Sequence, residues 1–359
     1  MPIARVHRLS AAAPDDVSAI EAAIATGTLD PTGIVAILGK TEGNGCVNDF
    51  TRSFAVTALQ AMLQRHIAPD AAAKICLVMS GGTEGALAPH WLVLERVPKT
   101  GGLSPALAIG RSHTAALASE HLGRRAQVDM VAAGVRDAMS DAGIDRIEDV
   151  HFVQIKCPLL TAVRVQDADR RGVTVSTRDT LKSMGLSRAA SALGVALALG
   201  EVPDDAITDA GIGSDASLWS ARASASSGVE LLNHEIVVLG MSRHWSGPLV
   251  IDHGVMADQI DIAPVRAAAA RLGLNLPTPG ASPTLLAMLA KAEAGTSGRL
   301  RGYRHTMLDD SDISATRHAR AFVAGALAGL VGHAEIFVSG GAEHQGPDGG
   351  GPVALIVAR

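Results

Sequence analysis

The chain has 359 residues, of which 47% are hydrophobic and 19% charged, and its mean hydropathy is +0.24. This length and composition provide for sizeable cores in two or three domains, so they exclude a single small module and a disordered chain. The formal charge of −5, the 3% aromatic content and the lack of a basic run argue against a nucleic-acid partner.

The cysteines and the apolar runs indicate where the protein resides. Three cysteines lie far apart without a CxxC pair, which favours a reducing compartment over a disulfide framework. The N-terminus lacks the apolar stretch of a secretory signal, and the longest apolar run, residues 321–332, is shorter than the roughly 20 residues of a membrane span. We therefore expect a cytoplasmic protein with no membrane partner.

Three lysines along the chain each end an apolar run. They are Lys40, Lys156 and Lys291, and the runs that precede them, residues 34–39, 150–155 and 285–290, are predicted as strands. By helix propensity alone the last run would be helical, and only its place in the repeat makes a strand the prediction.

A pentapeptide of the form Ser-Gly/Ser-Gly-x-Glu follows each lysine. Its copies begin at Ser80, Ser226 and Ser339, about one domain length apart. The residues before them, 75–79, 217–225 and 335–338, are predicted as strands that end in a tight glycine turn.

Between each lysine and its serine motif lies a predicted helix that carries an arginine. These arginines are Arg52, Arg188 and Arg320. We predict an α+β fold with α/β-like units: three similar repeat units surround an internal pseudo-threefold axis, with strands in a central barrel-like core and helices outside. The predicted units are residues 1–104, 112–248 and 254–359.

The repeated residue types indicate acyl transfer or amide hydrolysis. A lysine whose pKa is lowered by burial can take the proton of a serine hydroxyl, and the glycine turn offers backbone N–H groups to an oxyanion. Arginine supplies fixed donors for carbonyl or anionic oxygens. The structural alternatives are that the serine motifs are only turns and that the lysines only end strands in solvent; three matched copies favour the catalytic interpretation.

In these repeated motifs the chain resembles a known family, the cyanuric acid amidohydrolases and related barbiturases, which open cyclic imide rings. The resemblance spans the whole chain and depends on six motifs: Gly39-Lys40-Thr41-Glu42-Gly43, Ser80-Gly81-Gly82, Lys156-Cys157-Pro158, Ser226-Ser227-Gly228, Lys291-Ala292-Glu293 and Ser339-Gly340-Gly341-Ala342-Glu343-His344. It implies three similar units with three Ser–Lys pairs and three arginines at one central site. The implied reaction opens cyanuric acid to carboxybiuret, which loses CO₂ to give biuret.

The resemblance also implies a role for individual residues. Ser226 is the implied nucleophile and Lys156 its activating base, while Lys40 and Lys291 belong to the two additional Ser–Lys pairs. The unit that contains Ser226 is the one that breaks the repeat pattern, which agrees with a unique role. The implied substrate-binding residues are Arg52, Ser80, Gly81, Arg188, Ser226, Ser227, Arg320, Ser339 and Gly340.

The resemblance implies no cofactor for catalysis. It does imply a structural Mg²⁺ or Ca²⁺ ion and a homotetramer. The implied metal ligands, mostly backbone oxygens, are Glu293, Ala342, Gln345, Gly346, Pro347 and Gly350. Two alternatives stay open at the level of sequence: barbituric acid as the substrate, and a protein that binds planar cyclic imides without catalysis. Which of the three serines attacks is also open.

Overall fold

Three mixed four-stranded sheets form the framework of the protein. The computed structural model describes residues 1–98, 101–276 and 285–359. The first sheet contains β1 (Ile3–Ser10), β2 (Ile34–Thr41), β3 (Cys76–Gly81) and β4 (His90–Val97). The second contains β5 (Ala106–His113), β6 (Val150–Pro158), β7 (Ala223–Gly228) and β8 (Glu235–Ser242). The third contains β9 (Leu249–Met256), β10 (Leu285–Ala292), β13 (Phe337–Gly340) and β14 (Gly351–Ala358), and the short pair β11 (Arg299–Leu300) and β12 (Tyr303–Arg304) lies between them in sequence.

All three sheets have the same topology. Their strand orders are β1-β4-β2-β3, β5-β8-β6-β7 and β9-β14-β10-β13. In each, the second strand along the chain pairs in parallel with the third, and every other pairing is antiparallel. The predicted internal repetition is therefore present as three sheets of one strand order.

A helix makes the crossover that each parallel pair requires. The helices are α1 (Ser18–Ala25), α2 (Phe50–His66), α3 (Pro69–Ala72), α4 (Arg125–Ala142), α5 (Ala162–Arg170), α6 (Thr180–Ala198), α7 (Ala263–Arg271) and α8 (Ala315–Val331). The crossovers from lysine strand to serine strand run through α2, α6 and α8, which carry the predicted arginines. The side chain of Asp49 caps α2 by accepting the N–H of Thr51, and Asp179 caps α6 by accepting that of Lys182. No helix in the described ranges is long and apolar enough to cross a membrane.

The segment 285–290 is a strand, as its place in the repeat predicted. It forms most of β10, which is hydrogen-bonded to β13 on one side and β14 on the other. A strand with neighbours on both edges and apolar residues on both faces is stabilised by burial, which here outweighs the helix propensity of Leu, Ala and Met.

The predicted strand over residues 217–225 is wrong at its start. β7 begins at Ala223, because the Ser220 hydroxyl accepts the N–H groups of Arg222 and Ala223 and so closes a turn just before the strand. The other serine strands lie within two or three residues of their predicted bounds. The predicted starts of the second and third units, 112 and 254, fall inside β5 and β9, which begin at Ala106 and Leu249. The division into domains itself stays a prediction.

The three sheets pack around a shared core rather than closing into one barrel. The serine strands β3, β7 and β13 contact one another, and the same apolar cluster includes Val78, Ala225 and Phe337. Within the described residues each sheet keeps open edges, so the barrel-like part of the prediction is not confirmed. This arrangement brings the ends of the three serine strands together.

Candidate active site

Each lysine lies directly beside its serine on a parallel pair of strands. The strand register pairs Lys40 with Ser80, Lys156 with Ser226 and Lys291 with Ser339. All six side chains are buried. Three sequence-predicted Ser–Lys pairs therefore occupy equivalent positions at the carboxyl ends of the strands.

The hydrogen bonds of the three pairs differ. Lys40 Nζ is 3.2 Å from Ser80 Oγ, and Lys291 Nζ is 3.1 Å from Ser339 Oγ. The hydroxyls of Ser339 and Ser226 are 2.9 Å apart. Within the described residues no hydrogen bond joins Lys156 to Ser226, so the second pair is adjacent in register but not bonded.

Lys156 binds two other groups. Its Nζ donates to the carbonyl of Met79 at 2.7 Å and lies 2.7 Å from Oε1 of Glu230, with both side chains almost completely buried. Lys291 similarly donates to the carbonyl of Ala225 at 2.9 Å. Met79 and Ala225 each precede a motif serine, so these two lysines bind the serine strand of the preceding unit.

Burial lowers the pKa of all three lysines. The pKa of Lys291 falls to about 7, first through burial and then through the charge of Arg188. Burial and Arg320 place the pKa of Lys40 well below its ordinary value. Burial and Arg52 also lower the pKa of Lys156, while Glu230 opposes that shift. An amine with a lowered pKa is neutral over more of the physiological range and can accept a proton.

Two of the three arginines form bidentate ion pairs with glutamates of other units. Arg188 donates through Nε to Glu343 at 2.8 Å and through Nη2 at 2.6 Å. Arg320 donates through Nε to Glu84 at 2.6 Å and also contacts it through Nη2. Arg52 instead donates to the carbonyls of Cys46 at 2.7 Å and Ser227 at 3.1 Å.

One small cavity collects the predicted substrate-binding residues. All nine of them border it, together with Gly45, Met79 and Met184. The three lysines lie behind the serines rather than at the cavity surface. A wider cavity of about 600 Å³ lies beside this one and shares Gly45, Met184, Arg188 and Arg320 with it. The nine residues are thus brought together, and their contact with substrate stays a prediction.

Sequence reasoning gave no role to the glutamate that ends each pentapeptide. Glu84 of the first unit holds Arg320 of the third, and Glu343 of the third holds Arg188 of the second. Glu230 contacts Lys156 within its own unit. The recurrence of glutamate at one offset was a signal that could have identified these residues, but their partners are set only by packing between units.

In the first and third copies, the third residue of the pentapeptide is glycine because the glutamate–arginine contacts leave no space for a side chain. Gly82 has a φ of +95°, and a Cβ there would lie 2.1 Å from Nη2 of Arg320. Gly341 has a φ of +79°, and its Cβ would lie 2.4 Å from the guanidinium carbon of Arg188. Glycine is thus needed both for the backbone conformation and for the close approach of the arginine.

The predicted cation ligands fall largely around a second cavity. It measures about 310 Å³, and Glu293, Ala342, Gly346 and Pro347 line it. The side chain of Gln345 is engaged elsewhere, because its Oε1 accepts the N–H of Ala225 at 2.6 Å. Its backbone carbonyl oxygen is therefore the atom that could bind a cation. Gly350 is not among the residues that border the cavity and donates its N–H to the Pro347 carbonyl at 2.8 Å.

The residues at this cavity fit a hard divalent cation. Glu293 is partly buried, and its carboxylate accepts only the N–H of Ala294 and the hydroxyl of Thr316 within the described part of the chain. Burial, reinforced by the nearby charge of Glu343, raises the pKa of Glu293. A carboxylate surrounded by backbone carbonyls is the donor set of Mg²⁺ or Ca²⁺ and not of zinc.

Comparison with known proteins identifies the family. The model of a family described as "Amidohydrolase ring-opening protein" matches residues 5–358. A cyanuric acid amidohydrolase of Azorhizobium caulinodans is 66% identical over 360 residues, which cover 100% of this chain and 99% of the relative. One of Bradyrhizobium sp. (strain ORS 375) is 63% identical over 364 residues, with coverage of 99% and 98%.

Solved structures of cyanuric acid hydrolases also resemble this chain in fold and in sequence. The crystal structure of a cyanuric acid hydrolase from A. caulinodans matches with a TM-score of 0.95 at 67% identity and covers 100% of this chain and 99% of its own. A second cyanuric acid hydrolase, described as an evolutionary innovation by structural concatenation, matches with a TM-score of 0.96 at 47% identity over 100% of both chains. The chain therefore belongs to the family of ring-opening amidohydrolases and is a hydrolase of a cyclic amide.

Proposed function

We propose that this protein hydrolyses cyanuric acid to carboxybiuret, which then loses CO₂ to give biuret. The observation that carries the proposal is that three serines, each beside a lysine on the neighbouring strand, and three arginines from the crossover helices border one cavity in three like units. Cyanuric acid has three equivalent carbonyls and three equivalent N–H groups, so its symmetry matches that arrangement. The names of the two relatives and the two solved structures support the same substrate.

The groups that border the cavity suit a ring with alternating acceptors and donors. Guanidinium N–H groups bind ring carbonyls, and serine hydroxyls both donate and accept. A ring that lacks one matching edge leaves buried polar groups without partners, which is a costly form of mismatch. Selectivity for the complete ring follows from this cost.

In the proposed reaction Ser226 is the nucleophile and Lys156 the base. The serine oxygen forms a bond to one ring carbon while its proton passes to neutral Lys156, and backbone N–H groups hold the oxyanion. The ring C–N bond then breaks, and Lys156 returns the proton to the departing nitrogen. Water hydrolyses the resulting serine carbamate, releases carboxybiuret and restores the hydroxyl of Ser226.

The contacts of Ser339 favour a second candidate for the nucleophile. Its hydroxyl lies between Lys291 Nζ at 3.1 Å and Ser226 Oγ at 2.9 Å, and the pKa of Lys291 is about 7. Acid quenching during turnover, followed by peptide mass spectrometry, separates the two assignments. We expect the carbamate adduct on Ser226; an adduct on Ser339 would replace Ser226 by Ser339 in the mechanism.

A structural divalent cation and a homotetramer are part of the proposal. The residues that would hold the cation are Glu293 and the backbone oxygens of the segment 342–350, which directly follows the strand of Ser339. When bound, the cation would offset the negative charge of the Glu293 carboxylate and would hold the loop in place. The tetramer rests on the family resemblance, and light scattering coupled to size-exclusion chromatography measures it directly.

Turnover assays on purified protein test the function. We expect loss of cyanuric acid with formation of biuret, and no turnover by Ser226→Ala with retained ligand binding. If barbituric acid alone is consumed, the fold and the Ser–Lys pair stand and the substrate is wrong. If neither ring is hydrolysed, the protein is better described as a binder of planar imides.

A further inference from the structure

The three arginines at the cavity present different donors to a ligand. Arg188 and Arg320 each use Nε and Nη2 on a carboxylate, which leaves Nη1 for the cavity. Arg52 uses Nη1 and Nη2 on backbone carbonyls, and among the described residues its buried Nε has no acceptor. The side chain of Arg52 is only 3% exposed. Arg52 is therefore a buried cation that borders the cavity, and one of its N–H groups has no acceptor among the described residues.

Arg52 is also the arginine whose charge is not matched by a carboxylate in contact. No carboxylate oxygen in the described part of the chain lies within ion-pair distance of its guanidinium, whereas Arg188 and Arg320 each have one. Asp49, which caps the same helix, accepts the N–H groups of Gly45 and Thr51 instead. An isolated buried charge is costly, so a negatively charged ligand at this position is strongly favoured.

Glu230 explains why Arg52 lacks a partner. By the repeat pattern Glu230 corresponds to Glu84 and Glu343, each of which holds an arginine. Glu230 contacts Lys156 instead and acts on Arg52 only from a greater distance. While Lys156 is protonated, the second unit therefore exchanges an arginine–glutamate pair for a lysine–glutamate pair, and the unmatched positive charge falls on Arg52.

From this asymmetry we infer that the ring binds as its monoanion, with the deprotonated imide edge at Arg52. This inference rests on the proposed function and deepens it. An imide N–H between two carbonyls is acidic, and its anion spreads the charge over nitrogen and both neighbouring oxygens. Such an edge matches a guanidinium donor, which binds anions more strongly than neutral carbonyls.

The inference also removes an ambiguity of orientation. A neutral cyanuric acid ring has three equivalent ways to occupy a site of threefold form. Its monoanion has lost that symmetry, and a single unmatched arginine selects one orientation. The remaining edges then face the ion-paired Arg188 and Arg320, and one fixed carbonyl is presented to the nucleophile.

Calorimetry on the Ser226→Ala protein with cyanuric acid tests the inference. The titration is performed below the first pKa of the free ring, in buffers with different ionisation enthalpies, and repeated above that pKa. Binding of the anion releases a proton below the ring pKa and none above it. Binding without proton release at either pH would overturn the inference.

Two substitutions in the same background assign the effect to Arg52. Because hydrogen bonds to charged groups are stronger than neutral ones, Arg52→Gln should weaken binding above the ring pKa on the order of 10- to 100-fold. It should also abolish proton release below that pKa. Arg52→Lys keeps the charge and should keep the proton release, and equal thermal unfolding midpoints would show that both variants are folded.

The outcomes distinguish this inference from the proposed function. If the Ser226→Ala protein binds no cyanuric acid at any pH, the proposed substrate is wrong. If it still turns over, the assigned nucleophile is wrong. If it binds and Arg52→Gln leaves both affinity and proton release unchanged, the substrate stands and the anionic edge at Arg52 is excluded.

Discussion

Nζ of Lys156 lies 2.7 Å from Oε1 of Glu230, and both side chains are almost completely buried. The other two lysines of the repeat lie against their own serines instead. This contact is a close ion pair that stabilises the charged amine, while burial and Arg52 favour the neutral amine. The balance between these effects determines at what pH Lys156 can act as a base.

We therefore expect Glu230→Gln to shift the acid limb of the activity profile. Removing the carboxylate removes the largest influence that raises the pKa of Lys156, so the amine becomes neutral at a lower pH. The measurement is kcat/KM against pH, with exposed Asp169→Asn as the control. A profile that does not move would show that Lys156 is not the titrating base.

Buried Lys291 makes stability depend on pH. Its pKa is about 7 in the folded protein against an ordinary value of 10.5, so between these values the unfolded chain binds more protons than the native one. The free energy of unfolding should consequently rise with pH across this window. Below about 7 both states are protonated, and the full cost of burying the charge is present.

Urea unfolding of the wild type and Lys291→Met at several pH values checks this expectation. Methionine has no proton to exchange, so the variant should show a shallower rise between pH 7 and pH 10.5. Two curves with the same slope would mean that Lys291 keeps its ordinary pKa.

The ion pair between Arg320 and Glu84 should matter far more than an exposed one. Its side chains are 4% and 12% exposed, and Glu84→Ala leaves a buried guanidinium without its partner, at a cost of about 3–5 kcal/mol. Arg178 and Asp169 are 66% and 46% exposed, so Asp169→Ala should cost about 0–1 kcal/mol. Chemical unfolding of both variants makes the comparison, and similar losses would contradict it.

Gly82 and Gly85, on either side of Thr83 and Glu84, form a matched pair for a test of the site geometry. Gly82 and Gly85 both have positive φ values, but a Cβ at Gly85 meets no atom within 4 Å, whereas one at Gly82 meets Arg320. Both alanine variants carry a backbone strain of about 1–2 kcal/mol. Only Gly82→Ala must displace the arginine, so it should lose most of its activity while Gly85→Ala retains it. Equal activity in the two would show that the position of Arg320 is unimportant.

Removal of the proposed cation should lower the stability of the protein as well as its catalytic rate. Elemental analysis of protein purified without added metal should find Mg²⁺ or Ca²⁺, and a chelator should lower the thermal unfolding midpoint. Glu293→Gln removes the one charged ligand and should abolish both the bound metal and the effect of the chelator. Stoichiometric metal retained by Glu293→Gln would place the cation elsewhere.

The sequence by itself determined the repeated unit and the residues that each copy brings. Apolar runs that end in lysine or serine specify buried strands. The recurrence of Lys, Arg and Ser at the same positions of each repeat predicts one shared cavity. Even the segment 285–290 was assigned correctly, because the repeat outweighed its local helix propensity. These features depend on residues that are close together in the sequence or on repeated copies of one sequence pattern.

The tertiary structure alone decided which partners those residues take. Glu84 reaches Arg320 and Glu343 reaches Arg188, but Glu230 stays with Lys156. The two glutamate–arginine contacts join residues of different units, and residues that are far apart in sequence come together only through packing of the core. Burial in turn lowers the pKa of the lysines. The second copy already departs from the repeat in sequence, and packing gives its lysine and its glutamate different partners from those of the other two copies.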